Sequence, residues 1–141
     1  MKKMAVVYWS GTGNTEKMAE AVYQGGKSAG AEVILFNVNN FAGDQTNGFD
    51  IIAFGCPSMG DEVLEETEFQ PLYNNCKSKL AGKTVGLFGS YGWGDGEWMR
   101  NWEQDITEAG ALLPQGYLII NETPDEEGLE SCRNYGLNLA K

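Results

Sequence analysis

Six consecutive small or hydroxylic residues, Ser10-Gly11-Thr12-Gly13-Asn14-Thr15, follow the apolar run Met4-Ala5-Val6-Val7-Tyr8-Trp9 and precede a helical pattern. A strand that turns through glycines into a helix leaves backbone N–H groups unpaired at the helix's positive end, where an anion satisfies them. The side chains of Ser10, Thr12, Asn14 and Thr15 add further donors, and no Lys or Arg lies within the turn. A nucleoside triphosphate loop needs a lysine that is absent here, and a dinucleotide fingerprint needs a third glycine where Glu16 stands. What remains suits one monophosphate, such as a mononucleotide or a sugar phosphate, held by neutral dipoles. A plain Ser/Thr helix cap is the competing reading.

Two further stretches carry unusual chemistry. Cys56-Pro57-Ser58-Met59-Gly60-Asp61-Glu62 and Gly89-Ser90-Tyr91-Gly92-Trp93-Gly94-Asp95-Gly96 each follow an apolar run. In a sheet of order 2-1-3-4-5 these loops and the Ser10–Thr15 turn are neighbours at the carboxyl ends of strands 1, 3 and 4, where ligands bind in open α/β sheets. A flat ring would then lie between Met59 and Trp93, with the glycines beside Trp93 letting backbone amides approach the ring edge. A Gly-Trp-Gly turn taken alone is more often a loop with a buried aromatic.

The elements that must position these loops are legible as alternating strands and helices. Compact apolar runs predict strands at about 4–9, 32–38, 50–56, 84–89 and 117–121, a pattern that fits a parallel sheet covered on both faces. Helical spacing links Met18 and Val22, Phe69 to Leu80, Met99 to Ala109, and Leu129 to Leu139. The reading is therefore α/β, a three-layer doubly wound five-stranded parallel sheet of order 2-1-3-4-5. Gly30, Gly82 and Gly110 are read as left-handed caps behind three of the helices. Phe41 to Gly48 is either an irregular crossover or a very short helix, and Leu113-Pro114-Gln115-Gly116 a bulge or strand break near a sheet edge.

Composition narrows the function. With 141 residues the chain suits one domain, 1–141, and its 20 acidic against 10 basic residues leave a net charge of −10. Nucleic acid and anionic membranes are poor partners for such a chain. There is no histidine, and the three cysteines form no C-x-x-C pair, so zinc, haem, iron–sulfur and His-dependent catalysis are all poorly supported. The opening apolar run is too short for a signal or membrane segment, and a cytoplasmic monomer is expected. Five acids crowd Asp61-Glu62-Val63-Leu64-Glu65-Glu66-Thr67-Glu68, either a solvated helix start or a docking patch for a basic partner.

Across the three loops, Val7 to Glu16, Gly55 to Glu62 and Leu87 to Gly96, the chain closely resembles the short-chain bacterial flavodoxins of anaerobes. Flavodoxin is itself the known case of the 2-1-3-4-5 order with FMN at the switch point, so the placement above is not independent of that resemblance. The resemblance implies non-covalent FMN and a site made of Ser10, Gly11, Thr12, Gly13, Asn14, Thr15, Pro57, Ser58, Met59, Gly60, Asp61, Glu62, Ser90, Tyr91, Gly92, Trp93 and Gly94. Within it, Ser10, Thr12, Asn14, Thr15 and Ser58 serve the phosphate and nearby ribityl oxygens. Met59 and Trp93 sandwich the isoalloxazine, and Glu62 accepts from the pyrimidine-ring N–H. Amides near Tyr91 and Gly92 serve the ring carbonyls. Gly60 is similar to the family's switching glycine, whose peptide turns over so that its carbonyl accepts the new N–H of the semiquinone.

The implied function is a low-potential one-electron carrier that cycles between semiquinone and hydroquinone in place of ferredoxin, with no substrate turnover of its own. Acids around a site without basic side chains oppose formation of the anionic reduced flavin. The implied partners are redox enzymes with basic docking surfaces. The alternatives are an FMN-dependent quinone or nitro-compound reductase on the same fold, and a non-redox binding or signalling module. Trp98 and Trp102 read as core and loop support, and Cys56 as a buried small apolar residue.

Overall fold

The computed structural model describes residues 1–141, and its sheet has five parallel strands in the order β2-β1-β3-β4-β5. The strands are β1 (Lys3–Tyr8), β2 (Glu32–Asn37), β3 (Ile51–Gly55), β4 (Thr84–Tyr91) and β5 (Tyr117–Asn121). Each coincides within a residue or two with an apolar run. The central strands β1 and β3 are buried nearly end to end because helices cover both faces. Side chains alternate between those faces. Met4, Val6, Tyr8, Ile51, Ala53 and Phe88 pack on α1 (Asn14–Ser28) and α4 (Glu126–Ala140). Ala5, Val7, Ile52, Phe54, Val85 and Leu87 pack on α2 (Phe69–Lys77) and α3 (Glu97–Glu108).

The second face is the more aromatic. Phe54, Phe69, Tyr73 and Trp102 meet edge-on or tilted, with ring centroids 5.4 to 6.5 Å apart. On the first face α1 and α4 touch backbone to backbone: a Cβ on Gly25 would stand 1.9 Å from the Arg133 carbonyl oxygen, and one on Gly136 2.1 Å from that of Val22. The two helices therefore need those glycines to lie as close as they do.

Two caps follow expectation. Behind α1 and α3, Gly30 and Gly110 adopt positive φ, and the next residues, Ala31 and Ala111, donate back to Gly26 and Ile106. Gly82 differs. It has a φ of 77°, but α2 ends at Lys77, and the Gly82 amide donates to the Gly110 carbonyl in the turn that leads into β4. Its left-handed conformation serves that turn and not a helix end. The 41–48 crossover contains a 3₁₀ turn at Gly43–Gly48 after a shorter one at Val38–Asn40. Leu112 pairs with Thr84 as an isolated bridge and Gly116 has positive φ, so the proline stretch is a break before the edge strand β5 and not a bulge. No helix is long and apolar enough to cross a membrane.

Candidate functional site

The first turn of the site arises where β1 ends. Trp9 donates its backbone N–H to the Gly55 carbonyl, and its indole N–H reaches Glu68 at 2.9 Å. The indole lies against Gly11, where a Cβ would stand 3.0 Å from the ring, so a side chain there would have to push the indole aside. Gly13, with φ of 97°, then delivers the chain into α1. The Gly13 amide donates to Ser10 Oγ, while the amides of Gly11, Thr12, Asn14, Thr15 and Glu16 have no hydrogen-bond partner in the protein. Lys17 is the first residue whose amide joins the helical ladder, donating to Gly13. Five orphan donors at a helix N-terminus, with no cation in the turn, are the donors that a neutral anion cradle requires.

The other two loops meet this turn. Ser58 donates its amide to the Ser90 carbonyl, and Thr15 Oγ1 lies 3.0 Å from Ser90 Oγ. Thr15 is 1 % exposed, so its hydroxyl belongs to the floor of the site. A cavity of about 370 Å³ is lined by Thr12, Asn14, Ser58, Ser90, Tyr91 and Gly92 together with Glu122 and Thr123. A second, of about 440 Å³, is lined by Met59, Gly60, Asp61 and the residues from Val63 to Thr67. Glu122 and Thr123 were not anticipated from the sequence. They follow β5, which pairs with β4, and the order 2-1-3-4-5 was the signal that carries this fourth loop to the Tyr91 turn. Thr123 Oγ1 donates to Asn14 Oδ1, which leaves the Asn14 amide hydrogens free as donors.

The loop after β3 is a tight antiparallel turn in which Met59 and Val63 exchange both backbone hydrogen bonds. Gly60 and Glu62 within it take φ of 47° and 56°. Glu62 and Glu122 are the two non-glycine residues of the chain at positive φ, and both sit on these loops, where strained backbone marks functional sites. Pro57, Ser58 and Met59 are half-buried and Gly60 and Asp61 exposed, whereas Glu62 is buried and accepts from the Glu97 amide at the start of α3. Its carboxylate thus caps α3 and not the helix that follows it in sequence.

Downstream, the acid run is only partly a solvated face. Glu65 is 6 % exposed and accepts from the amides of Thr67, Glu68 and Phe69 and from the Thr67 hydroxyl. Burial alone would raise its pKa, yet these donors outweigh burial and hold the carboxyl below the usual glutamate range. Its own amide points to Cys56 Sγ, 3.4 Å away. Cys56 is fully buried, and burial pushes its thiol far up, so it is a packing residue.

Tyr91 at the end of β4 is half-buried, and on the loop that follows Gly92, Trp93 and Gly94 are exposed, with no hydrogen-bond partner for their amides. Trp93 is 64 % exposed, which sets aside the reading of a loop around a buried aromatic. Trp98 ties this region to the loop after β3, donating its indole N–H to the Cys56 carbonyl while its ring lies 5.8 Å from that of Tyr91. One expectation needs correction. A basic side chain does reach this site: Arg100, one turn into α3, donates to the Asp95 carbonyl and to its carboxylate at 2.9 Å. Helical geometry brings it back to the loop, and its charge is matched there by Asp95.

Donors without partners, an absent countercharge at the first turn, an exposed indole on the loop after β4 and a thioether on the loop after β3 fit a monophosphate joined to a flat ring. Comparison with known proteins agrees. A family model described as Flavodoxin matches residues 6–136. The chain is 46 % identical over 137 residues to a flavodoxin of Clostridium beijerinckii, covering 97 % of this chain and 99 % of that protein. It is 45 % identical to a flavodoxin of Megasphaera elsdenii, covering 96 % of this chain and 97 % of that protein. The solution structure of two-electron reduced Megasphaera elsdenii flavodoxin superposes with a TM-score of 0.89 at 44 % identity, over 97 % of this chain and 98 % of that one. The chain belongs to the flavodoxin family, whose members are electron carriers that bind FMN and are not enzymes.

Proposed function

We propose that this chain is a low-potential one-electron carrier whose FMN phosphate rests on the orphan amides of Gly11 to Glu16. The observation that carries the reading is those five unpartnered donors beside a cavity that Thr12 and Asn14 line together with Ser58 and Ser90. Bound FMN supplies one-electron redox chemistry through its ring. The residues of the chain hold and tune it. Ser10, Thr12, Asn14 and Ser58 donate to phosphate and ribityl oxygens, with Gly13 shaping the turn and Thr15 and Ser90 forming the floor. Met59 and Trp93 clamp the ring, and amides near Tyr91 and Gly92 serve its carbonyls. Glu62 accepts a ring N–H, and Gly60, between Pro57 and Asp61, offers its carbonyl through a turn that glycine enters in either sense.

Asp61, Glu66 and the exposed acids nearby keep the ring's surroundings negative and offer a docking face to redox proteins with basic surfaces, to which a monomer presents itself. The reductase reading is not favoured, because the chain matches flavodoxins over nearly their whole length. The test is an anaerobic dithionite titration of the FMN-loaded protein followed by visible spectroscopy. Two resolved one-electron steps are expected, without unaided oxidation of NAD(P)H. In Asp61→Asn the more negative potential is expected to rise by a few tens of mV. Unit charges about 8 Å apart at an effective dielectric near 20 repel by about 2 kcal/mol, which screening reduces at an exposed site; a shift of about 1.4 kcal/mol is roughly 59 mV. A single two-electron step, or NAD(P)H oxidation at turnover rates, would overturn the reading.

A further inference from the structure

We infer that Gly94 is a positioning residue for the Glu62 carboxylate, and that its missing side chain sets FMN affinity at second hand. The inference rests on the proposed role of Glu62 at the ring. Gly94 has φ of +84°, and a Cβ built there would stand 2.5 Å from Glu62 Cδ, 2.5 Å from Oε1 and 2.7 Å from Oε2. Side-chain carbons do not approach other atoms so closely. The space a Cβ would take is the space the carboxylate fills.

Glu62 is held there from both sides. Its backbone is in the left-handed region at φ 56°, its side chain is 8 % exposed, and Oε1 accepts from the Glu97 amide at 3.2 Å. That amide is one of the orphan donors of the α3 N-terminus, so the carboxylate is drawn toward the helix by its dipole as well as by the bond. Oε2 makes no hydrogen bond to the protein, so one oxygen is committed to α3 and the other is left to accept. The loop after β3 and the loop after β4 are thereby coupled through one carboxylate lying under one glycine. Because the group in the way is the end of a flexible side chain, a methyl at position 94 displaces the carboxylate and leaves the sheet untouched. Glu97 then loses its acceptor and the ring N–H loses its partner.

The consequence separates Gly94 from an ordinary loop glycine. If it acts by making room for Glu62, its substitution matters only while Glu62 is present. FMN fluorescence quenching gives dissociation constants for the unaltered protein, Gly94→Ala, Glu62→Ala and the double variant. Gly94→Ala and Glu62→Ala should each weaken binding by about tenfold, the worth of a charge-assisted hydrogen bond. The double variant should bind no more weakly than Glu62→Ala alone. Multiplying losses in the double variant would overturn the inference, since Gly94 would then act on the ligand or on the loop without Glu62. Unaltered binding by Gly94→Ala alone would overturn it as well. Unaltered binding by Glu62→Ala is the distinct outcome that removes the role of Glu62 on which the inference rests.

Discussion

Replacing Glu65 by alanine tests whether the acidic segment beside the site is a solvated surface or a structural clasp. The carboxylate accepts from the amides of Thr67, Glu68 and Phe69 at 2.8 to 3.0 Å, and Phe69 is fully buried, so at least its amide finds no water as a substitute. Loss of an N-cap side chain costs about 1–2 kcal/mol, and a buried donor left unmatched adds about 1–3 kcal/mol. The expected loss is about 3 kcal/mol. With an unfolding entropy of about 2.1 cal/mol/K per residue, a chain of this size loses about 10 °C in Tm. The pH dependence carries the sign. The folded carboxyl titrates below its unfolded value, so its contribution is fully present above the unfolded pKa and disappears as pH falls through the folded one. Urea unfolding of the FMN-free protein, where ligand linkage does not enter, should show the variant destabilised at pH 7 and the difference shrinking toward pH 3. A loss under about 0.5 kcal/mol at neutral pH, or one unchanged at pH 3, would refute the clasp and return Glu65 to the solvated face.

Two other outcomes follow from the geometry. The apoprotein should bind FMN at least a hundredfold more tightly than riboflavin, and raising salt from about 0.05 to 0.5 M should not weaken FMN binding, because no cation would hold the phosphate and salt screens its repulsion from a chain of net charge −10; calorimetric titration at the two salt concentrations checks both. Gly136→Ala should destabilise the fold by about 3 kcal/mol or more in urea unfolding, since its methyl would meet the Val22 carbonyl, which no rotamer change can move aside.

How much of this was legible in the chain depends on the range of the interaction. Apolar runs gave the five strands because burial on both faces of a parallel sheet writes itself locally. The Ser10–Thr15 turn was legible for the same reason: its donors, its glycines and the helix that follows are contiguous. Glu65 was not, because an acid in an acidic run looks solvated until the chain folds its carboxylate back over the α2 amides. Arg100 was hidden by one helical turn and Thr123 by an entire βα unit, although strand order already implied that the loop after β5 ends beside Tyr91. Gly82 was misplaced as a cap because its turn contacts Gly110, far along the sequence, and not the helix before it.

The manner in which the first turn holds an anion bears on the potential of the carrier proposed above. A lysine in the Ser10–Thr15 turn would grip a phosphate, yet its charge would act on the ring too. At about 8 Å and an effective dielectric near 20 it is worth about 2 kcal/mol, close to 90 mV in a one-electron couple before screening, and it would ease electron addition. Five neutral amides would bind the same phosphate through dipoles whose field falls off within a turn of helix, and would leave the ring's surroundings negative. Arg100 obeys the same logic, since the cation that does reach the site is paired with Asp95 at 2.9 Å. Affinity for the anionic tail and reluctance to accept the final electron are demands that a basic pocket would set against each other. A cradle of peptide dipoles, with Asp61, Glu62 and Glu66 kept to the loop after β3, would meet both.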